Sequence, residues 1–330
     1  MINDQSISRR EAVQGFSSML LSAAAALEGP PNPSTSQGTR FQADNFTFVH
    51  LTDAHIQSER GALAGVKKAL ASIAALRPKP AFLLVGGDIV HAASIATRKH
   101  AEMLYDLWQE AAAEIRIPVN FVIGNSDLYA ISGANRVAPD NPDYGKNLWM
   151  RRLAQENRFR SFEHQGWKFI LLDSVQVSPE GNYFGEIDAA QLAWLDDLLR
   201  KTERSQPLVF LTHIPILTAF GLYTQGTTSG LPENMIVRNG KAFIEMTGGY
   251  NVKAVLQGHT HVVEECLYRG SRFITGGAVC GGWWKGPNLG VHPEGFGVIE
   301  VHGDTFSYRY RPYGWKPVPV PEDASTSRPK

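Results

Sequence analysis

The stretch Phe46-Thr47-Phe48-Val49-His50-Leu51-Thr52-Asp53-Ala54-His55 is an apolar run that stops at two side chains able to bind a metal. Residues 46–52 read as a buried strand, being rich in aromatic and β-branched residues and too short for an ordinary helix. The same layout recurs down the chain. Residues 81–85 lead to Gly86-Gly87-Asp88, and 119–123 lead to Gly124-Asn125-Ser126-Asp127. Residues 208–211 lead to Thr212-His213-Ile214-Pro215, and 252–256 lead to Gly258-His259-Thr260-His261. Polar side chains at scattered strand ends form one site only where a fold aligns those ends. An open α/β sheet does this at the carboxyl ends of its strands.

Asp53, His55, Asp88, Asn125, His213, His259 and His261 are therefore candidate metal ligands. The pairs Asp53/His55 and His259/His261 are two residues apart, and in extended backbone both members of such a pair point the same way. Two carboxylates, one amide oxygen and four imidazoles suit Mn, Fe, Zn or Co. The set is too rich in nitrogen for Ca or Mg and lacks the thiolates of a structural zinc site. Seven donors exceed the needs of one such ion and suit two divalent or trivalent ions that share a carboxylate. Two ions roughly 3.5–4 Å apart can clamp a phosphoryl group and deprotonate a bridging water. With two carboxylates and one hydroxide, two divalent ions leave a net charge of roughly +1, which attracts a phosphodiester or phosphomonoester anion. Each motif alone has a plainer reading as a turn or a hairpin. Five in this order, each after a strand-like run, point to a site.

This ordered set resembles the calcineurin-like metallophosphoesterases over about residues 46–311. The resemblance implies an α/β fold, a four-layer α/β/β/α sandwich of two mixed β-sheets flanked by helices. It implies a phosphoester hydrolase that uses a metal-bridging hydroxide at a dinuclear centre, with no covalent enzyme intermediate. Asp53, His55, Asp88 and His261 then hold one ion, and Asp88, Asn125, His213 and His259 the other. The catalytic residues so implied are Asp88, Asn125, Ser126, Asp127 and His213. One position departs from the family pattern G-N-H-[DE], whose His donates a hydrogen bond or proton near the leaving-group oxygen. Here it is Ser126, a possible donor but a poor general acid near neutral pH. Substitute donors are His91, Tyr129, His164 and His292. Asp127 is either an outer residue orienting ligand imidazoles or a turn residue.

Ser126 and a net positive site favour a small-molecule phosphodiester as substrate. The alternatives are a phosphomonoesterase, similar to acid or alkaline phosphatases, and a non-catalytic scaffold on the same fold. Two further segments bear on substrate choice. Residues 217–231 are rich in Gly and Thr and lie between two motifs. In Gly281-Gly282-Trp283-Trp284-Lys285-Gly286 the indoles either stack on a substrate or fill the core. Lys285 and His292 are either phosphate contacts or solvated loop residues.

The 330 residues carry 32 basic and 32 acidic side chains, so no net charge points to nucleic-acid backbones as a dominant partner. Residues 1–40 read as an export signal and Pro/Ser linker, 41–315 as the catalytic domain and 316–330 as a disordered tail. Ser8-Arg9-Arg10-Glu11 before the small, apolar run 12–26 resembles a twin-arginine signal, which places the protein in the periplasm or outside the cell, with a cytoplasmic location as the alternative. No segment is long and apolar enough for a permanent membrane span. Cys266 and Cys280 are either bridged or free. Apolar spacing predicts helices over 62–76, 97–115 and 187–202, the last capped by Asp188. Residues 128–148 read as a loop over the site. Residues 167–173 form a strand, with more strands near 264–267, 272–274, 296–301 and 305–310. Strand–helix alternation followed by a run of strands predicts a parallel-rich sheet joined to a more antiparallel one.

Overall fold

A computed structural model of the chain describes residues 44–320. The export stretch and linker expected at 1–40, and residues 321–330 of the expected tail, lie outside the described residues. No helix among the described residues is long and apolar enough to cross a membrane.

Two large mixed sheets form the frame. In the first, β1 (Phe46–Leu51), β2 (Leu83–Val85) and β3 (Val119–Phe121) run parallel. On the other side of β1, β12 (Gly295–His302) and β13 (Thr305–Pro312) pair antiparallel. The second sheet has β5 (Trp167–Leu171), β8 (Leu208–Leu211), β9 (Val252–Gln257) and β11 (Ser271–Gly276) parallel at its centre. Its edges are the antiparallel strands β4 (Arg160–His164) and β10 (Val263–Tyr268). A ribbon of β6 (Val175–Val177) and β7 (Tyr183–Gly185) stands apart from both. The late strands thus do not build a sheet of their own, as their succession suggested. The chain crosses between sheets after β11, so one late hairpin edges each.

Alternation within the strands builds the layers. Phe48 and Leu84 of the first sheet belong to one cluster with Phe169, Leu211 and Leu256 of the second. The Phe48 and Phe169 rings meet edge to face at 5.2 Å. Their neighbours Val49, Leu51, Leu83 and Val85 join the core shared with α1 (Ala62–Ala74) and α2 (Arg98–Ala112). In α1 the residues Ala62, Val66, Ala69, Leu70 and Ile73 form the buried stripe of an amphipathic helix. The Thr97 side chain caps α2 by accepting from His100 N–H. On the second sheet Phe210 packs on Phe243 of α6 (Gly240–Thr247), and α4 (Ala189–Arg200) lies beside it. Asp188 caps α4 through the N–H of Gln191, as the sequence predicts. The shorter helices α3 (Asn147–Arg152) and α5 (Phe220–Thr224) sit in connections. Cys266 and Cys280 are both free thiols.

Candidate metal centre

The seven candidate ligands lie just past strand ends, and the backbone of five of them is not extended. Asp53, His55, Asp88, His259 and His261 have φ between 39° and 72°. The spacing argument assumed extended backbone; the pairs converge instead because each turns through a left-handed conformation. Loop-to-loop bonds hold these turns: Asp53 N–H donates to Gly87 O at 3.1 Å and His55 N–H to Asp88 O at 2.9 Å. A non-glycine residue held there costs about 1–2 kcal/mol, and such strain concentrates at functional sites.

The other six side chains gather around Asp88. Its Oδ2 lies 3.4 Å from His55 Nε2, which is 3.1 Å from His261 Nε2. Asp53 Oδ1 lies 3.4 Å from that His261 nitrogen. The other carboxylate oxygen, Asp88 Oδ1, lies 3.4 Å from His213 Nε2, which is 3.1 Å from Asn125 Oδ1. His259 completes this second group with Asp88 and His213.

The donor set fits metal ions. An ion with bonds of about 2.0–2.2 Å sets its donors roughly 3 Å apart, close to the spacings here. His213 and His261 each point Nδ1–H at a carbonyl, Gly86 O at 2.8 Å and Gly281 O at 2.7 Å. That fixes a proton on each Nδ1 and turns each Nε2 inward. His55 Nδ1 and His259 Nε2 are buried without a hydrogen-bond partner. Burial holds His55 at a pKa of about 3, against the pull of Asp88, and His259 at about 4, helped by His213. Both are therefore neutral at pH 7, as ligation requires. His213 is held up to about 9: burial lowers it, but the Asp88 carboxylate outweighs burial. The Asp88 carboxyl is lowered, because His213 and its neighbours overcome the penalty of burial.

Asp127 does not reach this cluster. Its Oδ1 accepts from the N–H groups of Ile89 and Val90 and its Oδ2 from that of Gly124, at 2.8–3.1 Å. Burial, then the Asp88 charge, raise its pKa to about 7 against the N–H bonds of Gly124 and Val90 and the nearby His213. Ser126 lies over Asp88, with its N–H on Oδ1 at 2.7 Å and its hydroxyl on Oδ2 at 3.1 Å. Gly124 is needed for close approach, since a Cβ there would sit 2.1 Å from Asp88 Oδ1.

The cluster floors a cavity of about 340 Å³, which His55, Asp88, Asn125, Ser126, His259 and His261 help to line. Tyr183, Phe220, Met235, Trp283 and Leu289 supply much of its wall. A larger cavity of about 540 Å³ between α1 and α2 contains none of these residues. Trp283 is 45% exposed with its ring 4.5 Å from that of His261, whereas Trp284 is buried and donates its indole N–H to His55 O at 3.0 Å. The two readings of the Trp pair thus divide between its members. From 217–231, Phe220 reaches the cavity and 222–230 stay exposed.

None of the four proposed substitute donors lines the cavity. His91 comes nearest, with its ring 5.7 Å from that of His55. Tyr129 bridges to Gly145, and His164 packs on Phe46 and Phe82. His292 Nδ1 accepts from Val263 N–H, and Lys285 is an exposed loop residue outside the lining. Tyr183, which sequence reasoning missed, does line it and meets the His259 ring edge to face at 6.2 Å. It lies in a three-residue strand, too short to show a pattern.

A family model described as calcineurin-like phosphoesterase matches residues 46–263. The serine/threonine-protein phosphatase CPPED1 of Danio rerio is 28% identical over 257 residues, 74% of this chain and 72% of that protein. A 3',5'-cyclic-nucleotide phosphodiesterase of Nostoc sp. is 25% identical over 223 residues, 65% of this chain and 71% of that one. Among solved structures, a putative 5'-nucleotidase from Staphylococcus aureus superposes with a TM-score of 0.52 at 15% identity, over 86% of this chain and 57% of its own. That likeness is one of fold.

Proposed function

This chain belongs to the calcineurin-like phosphoesterase family and is a hydrolase of phosphoric esters, and from that premise we propose that it cleaves phosphodiesters at a pair of metal ions bridged by Asp88. The observation that carries this reading is that the two oxygens of one carboxylate face two separate groups of donors. Asp53, His55 and His261 would hold one ion and Asn125, His213 and His259 the other, with Mn, Fe, Zn or Co suited to the donors. When bound, such a pair supplies an activated water and offsets the charge of the phosphoryl oxygens. The chain does the rest. Carbonyls of Gly86 and Gly281 aim two imidazoles. Asp127 holds the loops of Asp88 and Asn125 together. Phe220, Met235, Trp283 and Leu289 give the ester's substituent an apolar wall.

A diester is favoured because its single negative charge suits a site of low net positive charge, and because the apolar wall suits a second substituent. The named activities of the relatives include both a phosphodiesterase and a phosphatase, so a monoester is the second reading. With Mn²⁺ present, bis(p-nitrophenyl) phosphate should turn over faster than p-nitrophenyl phosphate. The opposite order overturns the diester preference. Asp88→Ala and His259→Ala should each lose bound metal and at least about 100-fold in kcat/KM. Wild-type metal content and rate in either variant would refute the assignment.

A further inference from the structure

We infer that the hydroxyl of Tyr183 donates the hydrogen bond that stabilises the leaving-group oxygen as the phosphoester bond breaks. The inference rests on the phosphoesterase reading above. Three hydroxyls belong to cavity-lining residues: those of Ser126, Thr260 and Tyr183. Ser126 Oγ donates to Asp88 and accepts from Asn125. Thr260 Oγ1 is shut off from solvent. Among the amides, Asn288 donates to the carbonyls of Thr260 and His261. Tyr183 is left as the cavity's disposable hydroxyl. Its ring stands on edge against His259, which groups with Asp88 and His213, and His213 lies 3.1 Å from Asn125.

The phenol is fixed in place. The Asn234 side chain lies close enough to interact with it. The strand that carries it is tied to the segment behind, through Gly185 N–H to Glu233 O at 2.7 Å and Arg238 N–H to Gly185 O at 2.9 Å. A donor fixed before the reaction needs no reorganisation as charge develops. In the step, a water-derived oxygen bonds to phosphorus and the bond from phosphorus to the leaving oxygen breaks. The electron pair of that bond passes to the leaving oxygen. That oxygen accepts the hydrogen bond of the Tyr183 phenol, and the proton lost by the attacking water reaches it through solvent.

The test is the dependence on leaving group. Tyr183→Phe keeps the ring and removes the hydroxyl. With Mn²⁺, kcat/KM should fall by about 30-fold or more on diphenyl phosphate and by about threefold on bis(p-nitrophenyl) phosphate, whose leaving group needs little help. Bound Mn²⁺ per chain and inhibition by orthophosphate should stay within about twofold of wild type, which separates loss of a donor from damage to the centre. Equal losses on the two esters, or no loss on diphenyl phosphate, overturn the inference. So does finding the selective loss in Trp283→Phe instead. Wild-type protein that hydrolyses neither ester refutes the phosphodiesterase reading on which the inference rests.

Discussion

The carboxylate of Asp127 accepts N–H bonds from Ile89, Val90 and Gly124, so one buried side chain ties the loop of Asp88 to the loop of Asn125. Each buried N–H left without a partner costs about 1–3 kcal/mol, so Asp127→Ala should lose at least about 3 kcal/mol of stability. Urea unfolding in the presence of a chelator measures this apart from any metal effect, and a loss under about 1 kcal/mol would refute the bracing role. Asp53, His55, Asp88, Asn125, His213, His259 and His261 were legible because each ends an apolar run, a pattern that survives in one sequence. The left-handed backbone of Asp53, His55, Asp88, His259 and His261 was not legible, since two-residue spacing looks the same in a strand and in a turn. Tyr183 was hidden because nothing local distinguishes a phenol that reaches a cavity from one that does not.

At the scale of elements, α1 is joined to the centre by one close fit. A Cβ on Gly65 would lie 2.2 Å from the ring of Trp284, whose indole N–H holds His55 O. Gly65→Ala should push that ring away, loosen His55 and lower bound Mn²⁺, although alanine is the better helix former by about 1 kcal/mol. Unchanged metal content with raised stability would show that the ring gives way freely. The apolar stripe of α1 and the cap of α4 could be read from periodicity and from Asp188. The β6–β7 ribbon, β4, α3 and α6 could not, because runs of three to eight residues carry too little period to separate from connections. The Gly65–Trp284 fit joins positions more than 200 apart in sequence, and no local pattern encodes it.

At the scale of the molecule, the sandwich aligns strand ends from two sheets, and a ligand that binds this folded arrangement must stabilise it by mass action. At a hundredfold excess over its dissociation constant, Mn²⁺ should add about 2.7 kcal/mol, roughly 5–10 °C in Tm for a domain of this size. Calorimetry of chelator-treated protein with and without Mn²⁺ checks this. Asp88→Ala should show no comparable rise; an equal rise would place the ion elsewhere. The four-layer plan was legible through the ordered motifs, whereas the division of the late strands between sheets depends on long-range pairing. Asp53, Asp88 and Asn125 come from the ends of β1 to β3, while His213, His259 and His261 follow β8 and β9. Neither half of the sandwich owns a complete set of donors. Occupancy of the centre is thus a gauge of how well the two halves are seated, and whatever prises them apart should release the cargo before either half unravels.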